Sequence, residues 1–153
     1  MKTMAGLIRE HPFLADLTEA ECEVVAGCAK NAVFEPGAYI LREGQPTNAF
    51  HLIRHGRVAV EIYAPRRGGH VLQTLGPGEI LGVSWIVPPY RSTSDARAME
   101  QVRTFSFDAV CLREKCEKDP ALGYALMKRF VPVLVQRMSA ARLQALDMFG
   151  AQA

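Results

Sequence analysis

The residues of this chain whose types and spacing could do chemistry gather in one stretch, Gly76 to Ala98, GPGEILGVSWIVPPYRSTSDARA. A Gly76-Pro77-Gly78 turn opens it, the apolar pair Ile80-Leu81 follows, and Gly82 ends that run. Val83 to Pro89 is bulky and apolar without the alternation of a strand. Arg91-Ser92-Thr93-Ser94 is polar and leads into another strand. A glycine followed by free backbone amides, with an arginine and hydroxyls close by, is suited to holding one small anion. The amides supply directional donors, and the guanidinium supplies a fixed fork of charge-assisted ones. The same residues also fit a surface loop with one solvated arginine.

Elsewhere reactive groups are sparse. The four cysteines, Cys22, Cys28, Cys111 and Cys116, form no C-x-x-C pair and have no histidine at zinc-finger spacing. Buried, reduced, structural thiols are therefore expected. The clustered cysteines of an iron–sulfur site are missing. His51, His55 and Glu61 have the wrong spacing for a two-histidine, one-glutamate metal centre, because Gly56 breaks their shared face. Ser84 and His70 lie near the central stretch in chain order, which is not geometry. The expectation is a non-enzyme with no metal and no cofactor.

Composition narrows the classes further. Eighteen basic against sixteen acidic residues give a net charge of +2, without the basic stripe of a nucleic-acid surface. At 153 residues and 49% hydrophobic, residues 1–153 read as one domain with a sizeable core. Met1 to Arg9 lacks the roughly 7–15-residue apolar core of a signal peptide, and no run approaches the ~20 residues of a membrane span. A cytoplasmic protein without membrane contact is expected.

The elements that must position the central stretch follow from periodicity. Met1 to Ala29 reads as helical, interrupted at His11-Pro12-Phe13, with Thr18 and Glu21 forming a capping box. Around Asn31 the period changes. Val33-Phe34 and Tyr39-Ile40-Leu41 flank a Glu35-Pro36-Gly37 turn, and Glu43-Gly44-Gln45-Pro46 is a second turn. Phe50 and Leu52, then Val58, Val60 and Ile62, give two strands hinged at Gly56. Pro65 to Gly69 is a loop, and Val71, Leu72 and Leu75 resume strand character. Val102, Phe105 and Phe107 form the last strand.

About eight short strands at even glycine spacing predict a closed antiparallel β-roll. The fold class is α+β, mainly β: a jelly-roll-like eight-stranded roll at about 31–107, N-terminal helices at 1–30, and C-terminal helices at 108–149. Asp108 to Lys118 is a short helix, and Asp119-Pro120 starts a long one. On that helix Met127, Val131, Leu134, Met138, Ala141, Ala145 and Met148 step by 4, 3, 4, 3, 4, 3, a heptad seam. Leu126, Phe130 and Val133 form a neighbouring stripe that covers the roll. A helix with two apolar stripes buries one of them elsewhere, most simply against its twin, so a homodimer is expected. Pro132 is predicted to kink the helix near Lys128.

Phe34-Glu35-Pro36-Gly37, Phe50-His51-Leu52-Ile53 with Gly56-Arg57-Val58, Leu75-Gly76-Pro77-Gly78-Glu79 with Leu81-Gly82, and Ala96-Arg97-Ala98, in this order of helices and strands, resemble the cyclic-nucleotide-binding domain. That is the sensory half of catabolite-activator/Fnr-type regulators, found also in kinase regulatory subunits and channels. The likeness covers nearly the whole chain. It implies a phosphate-binding cassette in which a glutamate takes the ribose 2′-hydroxyl, while an arginine and backbone amides take the cyclic phosphate. Here Leu81-Gly82 opens the cassette, but Val83 stands where the glutamate belongs. Counting back from Ala96-Arg97-Ala98, the arginine position falls on Ser92, with Arg91 one place earlier. Valine leaves a buried 2′-hydroxyl unpaired, a cost of roughly 1–3 kcal/mol.

The resemblance makes Gly82, Val83, Ser84, Arg91, Ser92, Thr93 and Arg137 the expected ligand contacts. Arg91 is the anion's partner, and Arg137 reaches in from the long helix beside the seam. Trp85 fits either a ring stacked on the ligand or a plug. The chain stops after the long helix, where relatives place a helix-turn-helix domain, so direct DNA reading is not expected. The function expected is small-ligand sensing of the cyclic-nucleotide kind, signalled through the C-terminal helix and a dimer interface. A degenerate interaction scaffold without ligand and a cupin-like metal enzyme are the alternatives. Haem sensing would need a pocket histidine, for which His70 and His51 are the candidates.

Overall fold

In the computed structural model residues 3–64 and 68–150 are described, the side chains of 64 and 148–150 excepted. The loop expected at Pro65 to Gly69 therefore lies mostly outside the described residues, and Gly68 already begins a strand.

Three helical pieces lead in: α1 (Met4–Glu10), a 3-10 turn (Pro12–Leu14) and α2 (Glu19–Ala26). Thr18 accepts from the Glu21 amide while the Glu21 carboxylate accepts from the Thr18 amide, so the capping box forms. Helix α2 ends three residues earlier than expected, and β1 (Ala29–Phe34) starts at once. The roll continues as β2 (Tyr39–Leu41), β3 (Ala49–His55), β4 (Val58–Ala64), β5 (Gly68–Leu75), β6 (Ile80–Leu81), β7 (Asp95–Ala98) and β8 (Val102–Asp108).

These eight strands form two antiparallel sheets, in the orders β1-β8-β3-β6 and β2-β7-β4-β5. The mainly-β, eight-stranded roll with flanking helices is the fold the sequence predicts. Chain-adjacent strands pair only in β4–β5; the other turns carry the chain from one sheet to the other. Gly56 is one such corner. Its φ of +90° suits glycine, and a Cβ there would sit 2.3 Å from the Gln101 carbonyl.

Two helices close the chain. Asp108 caps α3 (Ala109–Lys118) by accepting from the Cys111 amide, and Asp119 accepts from Leu122 at the start of α4 (Pro120–Gly150). Helix α4 runs through Pro132, which is exposed. Alternation divides the core between two clusters. Phe50 and Leu52 of β3 face the helices with Phe105, Phe107, Leu126 and Phe130, while Ile53 faces the roll interior with Val58, Leu75, Leu81, Ala96 and Ala98.

The cysteines depart from expectation. Cys28 and Cys111 are joined by a disulfide across 83 residues, with Cα atoms 5.8 Å apart. The β1–β8 register explains the meeting: Ala29 pairs with Phe107, the Asp108 amide donates to the Cys28 carbonyl, and the first turn of α3 brings residue 111 back. Cys22 and Cys116 remain thiols, both pushed up chiefly by burial.

Candidate functional site

Gly82 takes φ +88° because the chain turns there from β6 into a 3-10 turn, Val83–Ile86. A Cβ at Gly82 would meet the Ala49 carbonyl at 3.0 Å. The turn directs Val83 and Ser84 toward a cavity of about 250 Å³ between the roll and α4. That is just below the usual ~300–1,000 Å³ of small-molecule sites. Sheet residues Leu41, Val60, Leu72, Leu81 and Ala96 form its apolar floor; Gly82, Val83, Ser84, Ser92, Thr93 and Ser94 form one rim. Helix α4 closes the other side with Leu134, Arg137, Ala140, Ala141 and Gln144.

The polar groups are ordered by neighbours far away in sequence. Thr47, buried, sits between two cassette hydroxyls, 2.9 Å from Ser84 Oγ and 3.1 Å from Ser92 Oγ. Residues 44–47 lie antiparallel to 90–92: the Gly44 amide donates to the Ser92 carbonyl, the Ser92 amide to Gln45 and the Thr47 amide to Tyr90. Extended backbone alternates its side chains, so Ser92 points in and Arg91 points out. Arg91 Nη1 donates to the Gly44 carbonyl at 2.8 Å, and the side chain is exposed.

Arg91, expected as the anion's partner, therefore does not line the cavity: Ser92 occupies the inward position, and Arg91 braces the 44–47 loop. Of the other expected contacts, Gly82, Val83, Ser84, Ser92, Thr93 and Arg137 all line the cavity.

Arg137 is the one cationic side chain lining the cavity among the described residues. Its Nη2 donates to the Ile80 carbonyl, and Gln144 Nε2 donates to the Leu72 carbonyl, so α4 is laced to both sheets. Burial pulls the guanidinium down from its ordinary range, and the Glu79 carboxylate partly offsets this. It stays charged.

Trp85 is a plug. Fully buried, its ring lies 4.9 Å from Phe50 and 5.3 Å from Phe130, away from the cavity. The histidines are elsewhere too. His70 is exposed on β5. His51 is buried beside Thr104 and the Phe34 ring, and burial, with Lys30 second, pushes it down to about 4. His55 is exposed, and Glu61 is paired with Arg97 at 2.8 Å. Among the described residues no three of His, Cys, Asp and Glu converge as a metal set. The Ser84 hydroxyl meets Thr47, not a base.

Sequence reasoning missed Thr47, and it assigned Leu134 and Ala141 to the seam although both line the cavity. The outward residues are Val131, Val135 and Met138, each about half exposed, with Leu143 and Leu146 beyond. The seam's Met148 lies outside the described side chains. Among the described residues no helix is long and apolar enough to cross a membrane.

The β-roll, its short turn and its long helix thus enclose one cavity walled by residues of all three. The chain belongs to the cyclic nucleotide-binding domain family, whose profile matches residues 32–119. It is 29% identical over 105 residues to a CRP-like cAMP-activated global transcriptional regulator of Mycobacterium tuberculosis, covering 69% of this chain and 45% of that protein. A cyclic nucleotide-gated ion channel of Arabidopsis thaliana is 27% identical over 118 residues, covering 71% of this chain and 17% of the channel. The chain thus spans less than half the length of these curated relatives. Among solved structures, a candidate cyclic nucleotide-binding protein from Geobacter metallireducens superposes with a TM-score of 0.78 at 30% identity, over 90% of this chain and 99% of the other.

Proposed function

We propose that this chain is a sensing module that takes a small anionic ligand of the cyclic-nucleotide kind in the cavity. Occupancy is passed on through α4 and a homodimer along that helix's outer face. The double role of α4 carries this reading. Leu134, Arg137, Ala141 and Gln144 wall the cavity, while Val131, Val135 and Met138 turn an apolar stripe to solvent. A second copy covers such a stripe most simply. Ligand contact and dimer face then share one rigid element, as coupling between two sites requires.

Arg137 is the anion's partner in this reading. Ser84, Ser92 and Thr93 offer hydroxyls, Gly82 lets the backbone approach, and Val83 packs on the ligand's apolar part. The cAMP-activated relative makes cAMP the first ligand to try and cGMP the second. Val83 offers no acceptor to a 2′-hydroxyl and Ser92 no charge to a phosphate, so weak affinity is expected for both.

Titration calorimetry with each nucleotide, on the natural chain and on Arg137→Gln, tests the site. Losing one charge-assisted bond should weaken binding roughly 10–100-fold. Binding that survives Arg137→Gln unchanged would refute the anion assignment. Light scattering tests the assembly: Val135→Lys with Met138→Lys should turn a dimer into a monomer, and a natural chain already monomeric at micromolar concentration would refute it. The scaffold reading is favoured by Val83 and Ser92. No heat with either nucleotide, and no small molecule released from freshly purified protein in mass spectrometry, would put it ahead.

A further inference from the structure

The Cys28–Cys111 disulfide lies in an open surface depression of about 430 Å³, whose wall includes Lys30, Asn48, Ser106 and Asp108. Cys28 is buried and Cys111 half-buried, so residue 111 is the more open end of the bridge. Lys30 lines the same depression, two residues along from Cys28. The Asp108 carboxylate there is occupied by the Cys111 amide. Cys111 is in the first turn of α3, and Arg113 follows two residues later. Arg113 Nη1 donates to the Trp85 carbonyl, and its guanidinium lies 4.1 Å from the Tyr90 ring centroid. One short helix therefore carries both the covalent tie and the clamp on the cassette.

We propose that Cys28–Cys111 is a thiol-exchange site for low-molecular-weight thiols of the glutathione class, and that its redox state sets how firmly α3 holds the cassette. A thiolate attacks Cys111 Sγ, the protein S–S bond breaks, and Cys28 leaves as a thiolate. A second thiol then attacks the mixed disulfide and frees Cys111. Two protein thiols form, each taking one proton, and two small thiols are oxidised to one disulfide. Cys22 and Cys116, held protonated by burial, do not compete as attacking thiolates. With the bridge open, the start of α3 keeps its backbone bonds, Asp108 to the Cys28 carbonyl and Ala109 to that of Asn48, but loses the covalent tie. Arg113 then holds Trp85 and Tyr90 less tightly. Neither step depends on what fills the cavity.

Trp85 is the sole tryptophan, so its emission reports the cassette directly. The full chain is equilibrated in glutathione buffers of graded redox poise. Free thiols are counted by mass tagging after quenching, and Trp85 emission is read at each point. The expected result is two thiols when oxidised and four when reduced, with emission changing at the same midpoint. The melting temperature should fall by about 5–15 °C on reduction. Cys28→Ser with Cys111→Ser should show the reduced-state emission in every buffer. Arg113→Gln, with the disulfide retained, should still show the two-to-four thiol transition while emission no longer follows it. Two thiols in every buffer short of denaturant would overturn the exchange site. Reduction that leaves emission of the natural chain unchanged would overturn the coupling.

Discussion

The two faces of strand β3 open onto cores of different character. Toward the helices, Phe50 stacks on Phe107 at 4.6 Å and meets Trp85 and Phe130 at 4.9 and 5.1 Å. Toward the roll interior stand Ile53, Val58, Leu81, Ala96 and Ala98, and here the cavity opens. Large rings in edge and stacked contact leave no room for a guest, whereas small aliphatics beneath a helix with two alanines do. Dense aromatic packing therefore lies on one side of β3 and the cavity on the other.

Phe130→Ala attacks the aromatic side, where a fully buried ring is lost, and should cost about 3–5 kcal/mol in denaturant unfolding. Ala96→Leu on the cavity side should cost less, about 1–3 kcal/mol, because the added methylenes can grow into the cavity. Similar losses for the two would abolish the distinction.

Acid should act through His51, buried in the roll. Its folded value is about 4 against 6.5 ordinarily, so between these pH values the unfolded chain binds a proton that the folded chain does not. The stability tied to this group is complete above pH 6.5 and falls as pH drops toward 4, by about 3 kcal/mol in all. His11 acts in the same sense: burial, the largest cause, pulls it down and outweighs the opposing bond from its Nε2 to the Ile53 carbonyl. His51→Gln should flatten the dependence of unfolding free energy on pH in this window, and an equally steep curve would place the effect elsewhere.

The smallest effect is expected from restoring the missing partners of a cyclic nucleotide. Val83→Glu and Ser92→Arg each point into the cavity, and each should raise cAMP affinity by roughly 10-fold or more in calorimetry. Arg91→Ala should change it little, because that side chain serves Gly44. A loss with Arg91→Ala equal to that with Arg137→Gln would reverse their assignments.

Much of this architecture is written in local pattern. The Thr18–Glu21 capping box, the aspartates before α3 and α4, the corner glycines and the strand alternation act over a few residues, so the chain alone determined the helices, the eight strands and the cassette's place. What only the tertiary structure decided depends on pairing across long separations. Whether Arg91 or Ser92 faces the cavity rests on the loop at 44–47, because in extended chain one residue of register exchanges the faces. Cys28 finds Cys111 only through the β1–β8 register, 83 residues apart. On α4 the apolar pattern showed two stripes but not their partners. The position of the roll turned Leu134 and Ala141 toward the cavity and left Val131, Val135 and Met138 to solvent, because a helix's periodicity fixes angles between residues, not the direction in which any of them points.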